Sequence, residues 1–422
     1  MSSGSVSSVD EKGEDECSGA VDRISELPEG ILLSILSLLS LKDAVKTSLL
    51  SGGWVNLWKS AVKELDFDAP EIQYAQSGLI PARRIKFKNW VNRVVRQLMD
   101  ASSPGQITKF RVSFTLTNQC NSKGEIDKWL KFALSKRVEF IELPLVTYIL
   151  TPESDGRKYV FPEDCFDHIK TPAGLSDIRS IRTLRLSYVA VEAETIEHFI
   201  SHCPYLEELA VRKSELIVKL RVAAAAGSSS SSSLALKRLK VVRCRKLKTL
   251  EIDNAPCLTH FTYQGGELAE LRLENCVSLV NVNLGSDFCT PSFAFDSISC
   301  YARLLAALTV KICQNNFRFS NVPEFTHLEQ LTIETIGNSN SKIIRLVTLI
   351  NACPRIHTLR LKMYTFPASE MEECPTPDVA RVGRESIKTV EIIGFNGFPI
   401  ECEFIDYVLE CFLGDGENSS TS

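Results

Sequence analysis

The chain has 422 residues, with 48 basic and 52 acidic side chains and a formal net charge of −4 at pH 7. This near balance excludes the strong basic excess of a general nucleic-acid-binding protein and argues against attraction to a membrane surface. Fourteen cysteines are scattered without a Cys-x-x-Cys pair, which predicts the reduced thiols of a cytoplasmic and/or nuclear protein and not a disulfide framework.

The two ends of the chain are poor in apolar residues. Residues 1–20 consist mainly of Ser, Gly, Asp and Glu, so we expect a disordered acidic tail there, and we expect a second disordered tail at residues 415–422. The apolar run at residues 31–41 is too short to span a bilayer, and acidic instead of basic residues precede it. We therefore expect neither a signal peptide nor a membrane helix.

Residues 21–62 have the pattern of a compact module of three short helices. Ile31, Ile35 and Leu39 recur at four-residue intervals, which predicts an apolar stripe on the first helix. A second helix is expected from about residue 42. The third helix would place three large side chains on one face, namely Trp54, Leu57 and Trp58. Three helices of this length cannot bury so many apolar side chains among themselves, so part of this surface is expected to contact another chain.

The order of residues in this module resembles the F-box family. The matching segments are Asp22-Arg23-Ile24-Ser25, Leu27-Pro28-Glu29, Ile31-Leu32, Ile35-Leu36, Lys42-Asp43-Ala44-Val45 and Trp54-x-x-Leu57-Trp58. The resemblance implies docking onto the Skp adaptor of an SCF-type cullin–RING ubiquitin ligase. It also implies which side chains face the adaptor: Leu27, Pro28, Ile31, Leu32, Ile35, Leu36, Leu39, Trp54 and Trp58. The sequence departs from the family at Gly52 and Gly53, where basic residues are usual, and glycine costs about 1 kcal/mol relative to alanine inside a helix.

Beyond residue 62, the chain repeats a pattern in which two apolar positions three apart are followed by a third two residues later. Its eleven copies begin at Val138, Ile181, Leu206, Leu236, Leu247, Leu258, Leu268, Leu279, Leu328, Ile356 and Ile387. This is the core pattern of a leucine-rich repeat and predicts a solenoid over residues 63–370, with alternate strand residues pointing inward. Between residues 236 and 279 the copies recur every 10 or 11 residues, which is too close for a helix in each step. We therefore predict that alternate copies there are strands on opposite walls of the solenoid.

The C-terminal part has a pattern of its own. Residues 386–397 resemble the FBD module that closes many plant F-box leucine-rich-repeat proteins. Further matching positions are Glu401, Phe404, Tyr407 and Leu409. We expect residues 371–414 to form an FBD-like cap over the open end of the solenoid. The predicted fold is therefore α/β, with a three-helix F-box, a curved leucine-rich-repeat solenoid and this cap.

The resemblance implies a non-catalytic substrate-receptor subunit of an SCF-type ubiquitin ligase. Its F-box would bind a Skp-type adaptor, and through it a cullin, while the repeats would hold an unknown target protein. Two alternatives use the same architecture, namely a non-degradative interaction scaffold and a small-ligand receptor. No catalytic, metal-binding or cofactor-binding motif supports an enzyme, and we expect no nucleic-acid or membrane partner.

Seven positive charges fall in the twelve residues from Lys237 to Lys248. One interpretation is a surface for an anion or an acidic peptide, or a nuclear-import signal. The other, which we favour, is the solvent-exposed side of strands whose apolar residues face inward. If the segment is a binding surface, Lys240 and Arg243 are the best-placed contacts. A weaker basic cluster at residues 83–88 is expected to be solvent-exposed.

Two further pairs consist of residue types that can bind metals. His198 and His202 lie four residues apart on a predicted helix, a spacing that can hold zinc, but no second pair of ligands follows. We expect an ordinary repeat helix there and no metal site. Cys244 and Cys276 each lie three residues after the last apolar position of a repeat, where such repeats place inward-facing side chains. We therefore expect both thiols to pack and not to react.

Overall fold

The computed structural model describes residues 23–68, 80–100, 106–116, 123–147, 159–224, 233–266, 268–286, 292–312, 322–336, 348–364, 386–397, 401–402, 405–406 and 408–409. The predicted tails at residues 1–20 and 415–422 lie outside these residues, as do residues 371–385 of the predicted cap. The chain divides into two compact units with the boundary between Lys63 and Glu64. We call residues 23–63 the N-terminal module and the described residues from Glu64 onward the repeat unit.

The N-terminal module contains three α-helices and two short 3-10 turns. The helices are α1 (Glu29–Ser37), α2 (Leu41–Lys46) and α3 (Leu57–Ala61), and the turns are Thr47–Leu49 and Gly52–Trp54. Ser40 caps α2, because its Oγ accepts a hydrogen bond from the Asp43 N–H at 3.2 Å. α1 packs against α3. The core between the helices contains Leu32, Leu36, Leu41, Ala44, Trp54 and Trp58.

The predicted third helix is wrong at its start. Trp54 ends a 3-10 turn, and α3 begins only at Leu57. Gly52 and Gly53 explain the break, because glycine loses more backbone entropy than any other residue on entering a helix. Trp54 is nevertheless buried, and its Nε1 donates a hydrogen bond to Ser25 Oγ at 2.7 Å. A tertiary contact therefore holds this tryptophan in place, and helical spacing does not.

The described repeat unit consists of short parallel strands joined by helices and loops. Its helices are α4 (Ile80–Met99), α5 (Lys123–Ser135), α6 (Glu163–Ile169), α7 (Pro172–Ile178), α8 (Ala193–His202) and α9 (Ser292–Ile298). Its strands are β1 (Glu64–Phe67), β2 (Lys109–Val112), β3 (Phe114–Leu116), β4 (Phe140–Thr147), β5 (Tyr159–Val160), β6 (Thr183–Ser187), β7 (Val189–Ala190), β8 (Glu208–Arg212), β9 (Lys219–Val222), β10 (Arg238–Val242), β11 (Thr249–Ile252), β12 (His260–Gly265), β13 (Glu270–Leu273), β14 (Asn281–Ser286), β15 (Ala307–Ile312), β16 (Gln330–Ile336), β17 (Thr358–Tyr364) and β18 (Thr389–Ile393).

Thirteen of these strands form one large sheet. Its order is β1-β2-β4-β6-β8-β10-β12-β14-β15-β16-β17-β18, and β3 also pairs with β4. The second apolar residue of each repeat lies directly opposite its counterpart in the next strand. This column contains Leu65, Phe110, Ile141, Leu184, Leu209, Leu239, Phe261, Val282, Leu308, Leu331, Leu359 and Val390. All but Val390 are buried, so the predicted solenoid core is confirmed.

A second, smaller sheet confirms the prediction of two walls. Strands β9, β11 and β13 pair with one another in parallel, apart from the large sheet. They alternate along the chain with β8, β10, β12 and β14 of the large sheet. α8 packs against β9 and α9 packs against β13. The second wall of the solenoid is therefore helical at α8 and again at α9. Between these helices the repeats are too short for a helix, and the wall consists of β9, β11 and β13.

Four further strands begin with the same repeat pattern, beyond the eleven copies recognised in the sequence. The further copies are Val62-x-x-Leu65-x-Phe67, Ile107-x-x-Phe110-x-Val112, Ile217-x-x-Leu220-x-Val222 and Leu305-x-x-Leu308-x-Val310, which lead into β1, β2, β9 and β15. Each has the same spacing as the eleven recognised copies. The signal was therefore present in the sequence, and two of these strands, β1 and β2, extend the large sheet ahead of the first recognised repeat.

A left-handed turn ends several of the strands. The residue with left-handed backbone lies two positions after the last apolar residue of the repeat, and its φ is between 52° and 57°. The residues in this conformation are Tyr188, Lys213, Arg243, Asn254 and Asn275. The next side chain in each repeat is buried, and these side chains are Val189, Ser214, Cys244, Ala255 and Cys276. The turn therefore aims Cys244 and Cys276 inward, as predicted.

Candidate functional site

The N-terminal module exposes much apolar surface. A single exposed apolar side chain is ordinary in a folded protein, but nine large ones lie within residues 23–63. They are Ile24, Leu27, Ile31, Ile35, Leu38, Leu39, Leu49, Leu50 and Val55. The exposed fraction is 50% for Ile31 and 87% for Leu38. Apolar surface concentrated in this way is typical of a contact with another protein.

The structure divides the nine predicted adaptor-facing residues into two groups. The group at the surface comprises Leu27, Pro28, Ile31, Ile35 and Leu39. The group buried in the module comprises Leu32, Leu36, Trp54 and Trp58. Helical geometry explains the division of α1, because Leu32 and Leu36 lie on its buried side while Ile31 and Ile35 lie on its solvent side. The buried group therefore packs α1 against the rest of the module, and this packing leaves the exposed group facing solvent.

Sequence reasoning missed five of the exposed side chains. They are Ile24, Leu38, Leu49, Leu50 and Val55. None of them lies at the four-residue spacing that defined the predicted stripe. Only their number in so short a module indicated that some would be left exposed.

The comparisons with known proteins agree with the division of the chain into an N-terminal module and a repeat unit. Residues 24–65 match the family described as "F-box domain", and residues 98–411 match the family described as "At1g61320/AtMIF1, LRR domain". The chain belongs to the F-box/leucine-rich-repeat family. The family resemblance stated from the sequence is therefore confirmed.

Relatives of this F-box/leucine-rich-repeat chain are known from Arabidopsis thaliana. "FBD-associated F-box protein At5g22730" is 25% identical over 92% of this chain and 85% of its own length. "F-box/LRR-repeat protein At3g26922" is 26% identical over 70% of this chain and 94% of its own length. "F-box/FBD/LRR-repeat protein At5g22660" is 24% identical over 92% of this chain and 87% of its own length.

The FBD-like segment after β18 depends on a glycine with left-handed backbone. Gly394 has φ +81°, and a Cβ added there would lie 2.1 Å from the carbonyl oxygen of Met363 in β17. The chain then turns, and the buried carboxylate of Glu401 accepts a hydrogen bond from the Asn396 N–H at 2.9 Å. This close approach of backbone to β17 explains why a glycine follows the last strand.

Charged residues alternate across the outward face of the large sheet in its first strands. The position between the last two apolar residues of each repeat is Asp66 in β1, Arg111 in β2, Glu142 in β4 and Arg185 in β6. Neighbouring strands are joined by ion pairs of 2.8 Å between Asp66 and Arg111, 3.6 Å between Arg111 and Glu142, and 3.7 Å between Glu142 and Arg185. These charges largely neutralise one another.

Arg185, the last charge of this row, also contacts a carboxylate that is shared by three cations. Glu208 in β8 is 1% exposed. Its Oε1 accepts from Arg185 Nε at 3.0 Å and from Lys240 Nζ at 3.4 Å, and its Oε2 accepts from Arg185 Nη2 and Arg238 Nε, both at 2.9 Å. Burial opposes the charged form, but the hydrogen bonds from Arg185 and Arg238 outweigh it and lower the pKa of Glu208 to about 2. We call Arg185, Glu208, Arg238 and Lys240 the Glu208 cluster.

The structure places the two predicted anion contacts in different surroundings. Lys240 lies on the outward face of β10 and belongs to the Glu208 cluster. Arg243 lies in the left-handed turn after β10, where its N–H donates to the carbonyl oxygen of Gln264. Sequence reasoning missed Glu208 and Arg185 as companions of Lys240, because residues 23 to 32 positions apart in the chain meet only in the sheet.

The histidines and cysteines have structural surroundings. His198 Nε2 donates to the carbonyl oxygen of Ile169 at 3.1 Å, and burial lowers the His198 pKa. Burial also raises the pKa of Cys244 and of Cys276 to about 11, so neither is a thiolate at neutral pH. Within the described residues, no three His, Cys, Asp or Glu side chains are arranged to hold a metal ion.

The weaker basic cluster differs from its prediction at two residues. Lys88 is 17% exposed in its side chain and pairs with Glu125 at 3.6 Å. Arg84 in α4 is buried, with its guanidinium 4.7 Å from the centre of the Phe114 ring. The helix turns this side chain toward aromatic residues, where a cation–π contact stabilises it. Among the described helices, none combines the length and the apolarity that crossing a bilayer requires.

Proposed function

We propose that this protein is a substrate-receptor subunit of an SCF-type cullin–RING ubiquitin ligase. Its F-box would bind a Skp-type adaptor, and through it a cullin, while the repeat unit would bind a target protein. The observation that carries this proposal is the exposed apolar surface on a module that matches the F-box family. Helices that present an apolar face commonly bind in a groove of a partner.

In this role, the chain contributes proximity and not covalent chemistry. A bound target is held at high effective concentration near the ubiquitin-transfer site of other subunits. In this role Cys244 and Cys276 pack inside the repeats, because burial raises both pKa values to about 11 and keeps them as thiols at neutral pH.

We assign the adaptor contact to the exposed residues of the module. The predicted members of this contact are Leu27, Pro28, Ile31, Ile35 and Leu39, and the structure suggests adding Leu38, Leu49 and Leu50. Leu32, Leu36, Trp54 and Trp58 would act indirectly, because they hold α1 against the rest of the module. A change at a buried position would therefore unfold the module as well as weaken adaptor binding.

The test is binding of the full chain to a purified Skp-type adaptor by calorimetry. The variant Ile31→Asp/Ile35→Asp introduces charge only at exposed positions of α1. Burying two carboxylates at the interface should cost at least about 3 kcal/mol, a loss of more than about a hundredfold in affinity.

The control is Gly30→Asp, which adds one negative charge to the same helix, where the test variant adds two. Its Cβ would meet nothing within 4 Å, and an acidic residue in the first turn of a helix is favourable. We expect the control to bind like the wild type. Equal loss in both variants, or no adaptor binding by folded wild-type protein, would refute the proposal and leave a non-degradative scaffold as the better description.

We further propose that the protein acts in the cytoplasm and/or the nucleus. The eight cysteines among the described residues form no disulfide with one another, and they are spread over the repeat unit and the FBD-like segment. Reduced cysteines in such number are typical of proteins from a reducing compartment.

A further inference from the structure

We propose that the Glu208 cluster is the part of the repeat unit that binds the target, and that it binds an acidic segment of the target polypeptide. Arg185, Arg238 and Lys240 would contact the acidic side chains. This inference rests on the proposed function, because it names the chemistry of the target that the receptor recognises.

The first argument is the number of hydrogen-bond donors. The carboxylate of Glu208 accepts four donors, which fills the lone-pair positions of a carboxylate. An arginine has five N–H donors and a lysine has three. The side chain of Arg238 uses its Nε and that of Lys240 uses one N–H on Glu208, and neither side chain donates another hydrogen bond to a described residue. Both cations therefore keep donors for a further acceptor.

The second argument is the balance of charge. Three cations surround Glu208, and the one other acid of the described residues within ion-pair distance of them is Glu142, at 3.7 Å from Arg185. Glu142 also pairs with Arg111 at 3.6 Å. Among the described residues, the cluster therefore retains a positive excess that a carboxylate from another molecule would neutralise.

The third argument is the shape of the neighbouring surface. Ala210 lies directly between Arg185 and Lys240 in the register of the sheet, so only a methyl group rises between the two cations. On the other side, the outward positions of β12 and β14 are uncharged or histidine: His260, Thr262, Gln264, Asn281 and Asn283. An approaching acidic segment therefore meets no acid beyond Lys240 on these two strands.

The surroundings of His260 agree with a positive local field. His260 lies opposite Arg238 in the sheet. Burial lowers its pKa, and the charges of Arg238 and Lys240 lower it further. Because Glu208 holds both cations in place before binding, an incoming carboxylate would have to order fewer side chains.

The size of the cluster favours a polypeptide over nucleic acid. Three cations are fewer than the roughly six to ten phosphate contacts that give strong binding to nucleic acid. One or two carboxylates would suffice to neutralise the excess, and uncharged hydrogen-bonding groups on β12 and β14 would then meet the adjoining residues of the segment.

The test uses the full chain and a fluorescein-labelled peptide that contains a run of glutamates, with binding followed by anisotropy at low ionic strength. The glutamine peptide of the same length is the neutral comparison. Arg238 and Lys240 are 42% and 43% exposed in their side chains, so the variant Arg238→Gln/Lys240→Gln should fold, and Arg185 would still pair with Glu208. We expect this variant to lose roughly tenfold or more in affinity for the glutamate peptide.

The matched control is Lys219→Gln/Arg272→Gln, which removes two exposed cations from the smaller sheet. Lys219 pairs with Glu251 at 2.8 Å and Arg272 with Glu270 at 2.6 Å. We expect less than a twofold loss in this control. Equal loss in both variants would show general attraction between charges and overturn the proposal, as would absence of binding to the glutamate peptide.

Two further measurements separate the possible failures. Inorganic pyrophosphate that binds at the cluster while the glutamate peptide does not would overturn the assignment to a polypeptide in favour of a small anion. Adaptor binding is measured on the same proteins, and Arg238→Gln/Lys240→Gln should retain it. Loss of peptide binding with adaptor binding intact therefore concerns the cluster alone, whereas the reverse result would refute only the proposed adaptor contact.

Discussion

Replacing Glu208 by glutamine should destabilise the repeat unit in a way that depends on pH. The pKa of Glu208 falls from its ordinary 4.5 to about 2 in the folded protein, which corresponds to about 3 kcal/mol at about 1.36 kcal/mol per pKa unit. The three cations are partly exposed, so solvent screening reduces this to about 2 kcal/mol. Glu208→Gln should therefore lower the free energy of unfolding by about 2 kcal/mol at pH 7, since three cations lose their shared anion.

The pH dependence follows from the direction of the pKa change. A carboxylate whose pKa is lower in the folded state contributes its full stabilisation above the unfolded pKa of 4.5. Protonation removes that stabilisation as the pH falls from 4.5 to about 2. The difference between wild type and Glu208→Gln should therefore be constant from pH 7 to pH 5 and shrink across this acidic range.

Urea denaturation of both proteins over this pH range measures the difference. The control is Glu270→Gln on the smaller sheet, whose exposed ion pair with Arg272 should contribute at most about 1 kcal/mol. A variant Glu208→Gln as stable as the wild type at pH 7 would refute the argument. So would a difference of about 2 kcal/mol that persists unchanged at pH 2.5.

Two other predictions concern the ends of the chain. Leu36→Ala should destabilise the F-box by about 3 kcal/mol, because Leu36 is fully buried. Leu38→Ala changes an exposed position and should alter the free energy of unfolding by less than about 0.5 kcal/mol. Thermal denaturation of both variants measures the difference. Gly394→Ala should destabilise the repeat unit by more than about 2 kcal/mol, because it adds a clash with Met363 to an unfavourable φ. Gly397→Ala, at a similar φ with nothing within 4 Å, should cost only about 1 kcal/mol, and equal urea midpoints for the two variants would contradict this reasoning.

The repeat architecture was readable from the sequence because it depends on local spacing. Strand residues alternate between the two faces of a sheet, so the pattern of Leu239 and Val241 predicts an inward side without reference to any partner. The two walls followed from the 10- or 11-residue interval between copies alone, and β11 and β13 lie where that interval places them. The four copies that lead into β1, β2, β9 and β15 have the same spacing, so local sequence specifies these strands as well.

The F-box surface could be predicted only in part. Apolar spacing identifies Ile31 and Leu32 equally, and only the packing of α1 against α3 decides that Leu32 is buried and Ile31 exposed. Both tryptophans are buried, but Trp58 lies in α3, whereas Trp54 lies before that helix and donates a hydrogen bond to Ser25.

Local order along the chain was therefore enough to establish the family, the two-part architecture, the inward positions of the strands and the two walls of the solenoid. The charged site was decided by tertiary structure alone. Lys240 stood in a basic run with no acid among its members, yet the sheet brings it within 3.4 Å of the carboxylate of Glu208, 32 residues earlier in the chain. Spacing in a sequence describes which way a side chain points, but the partner of a charge is set by which strands become neighbours in the sheet.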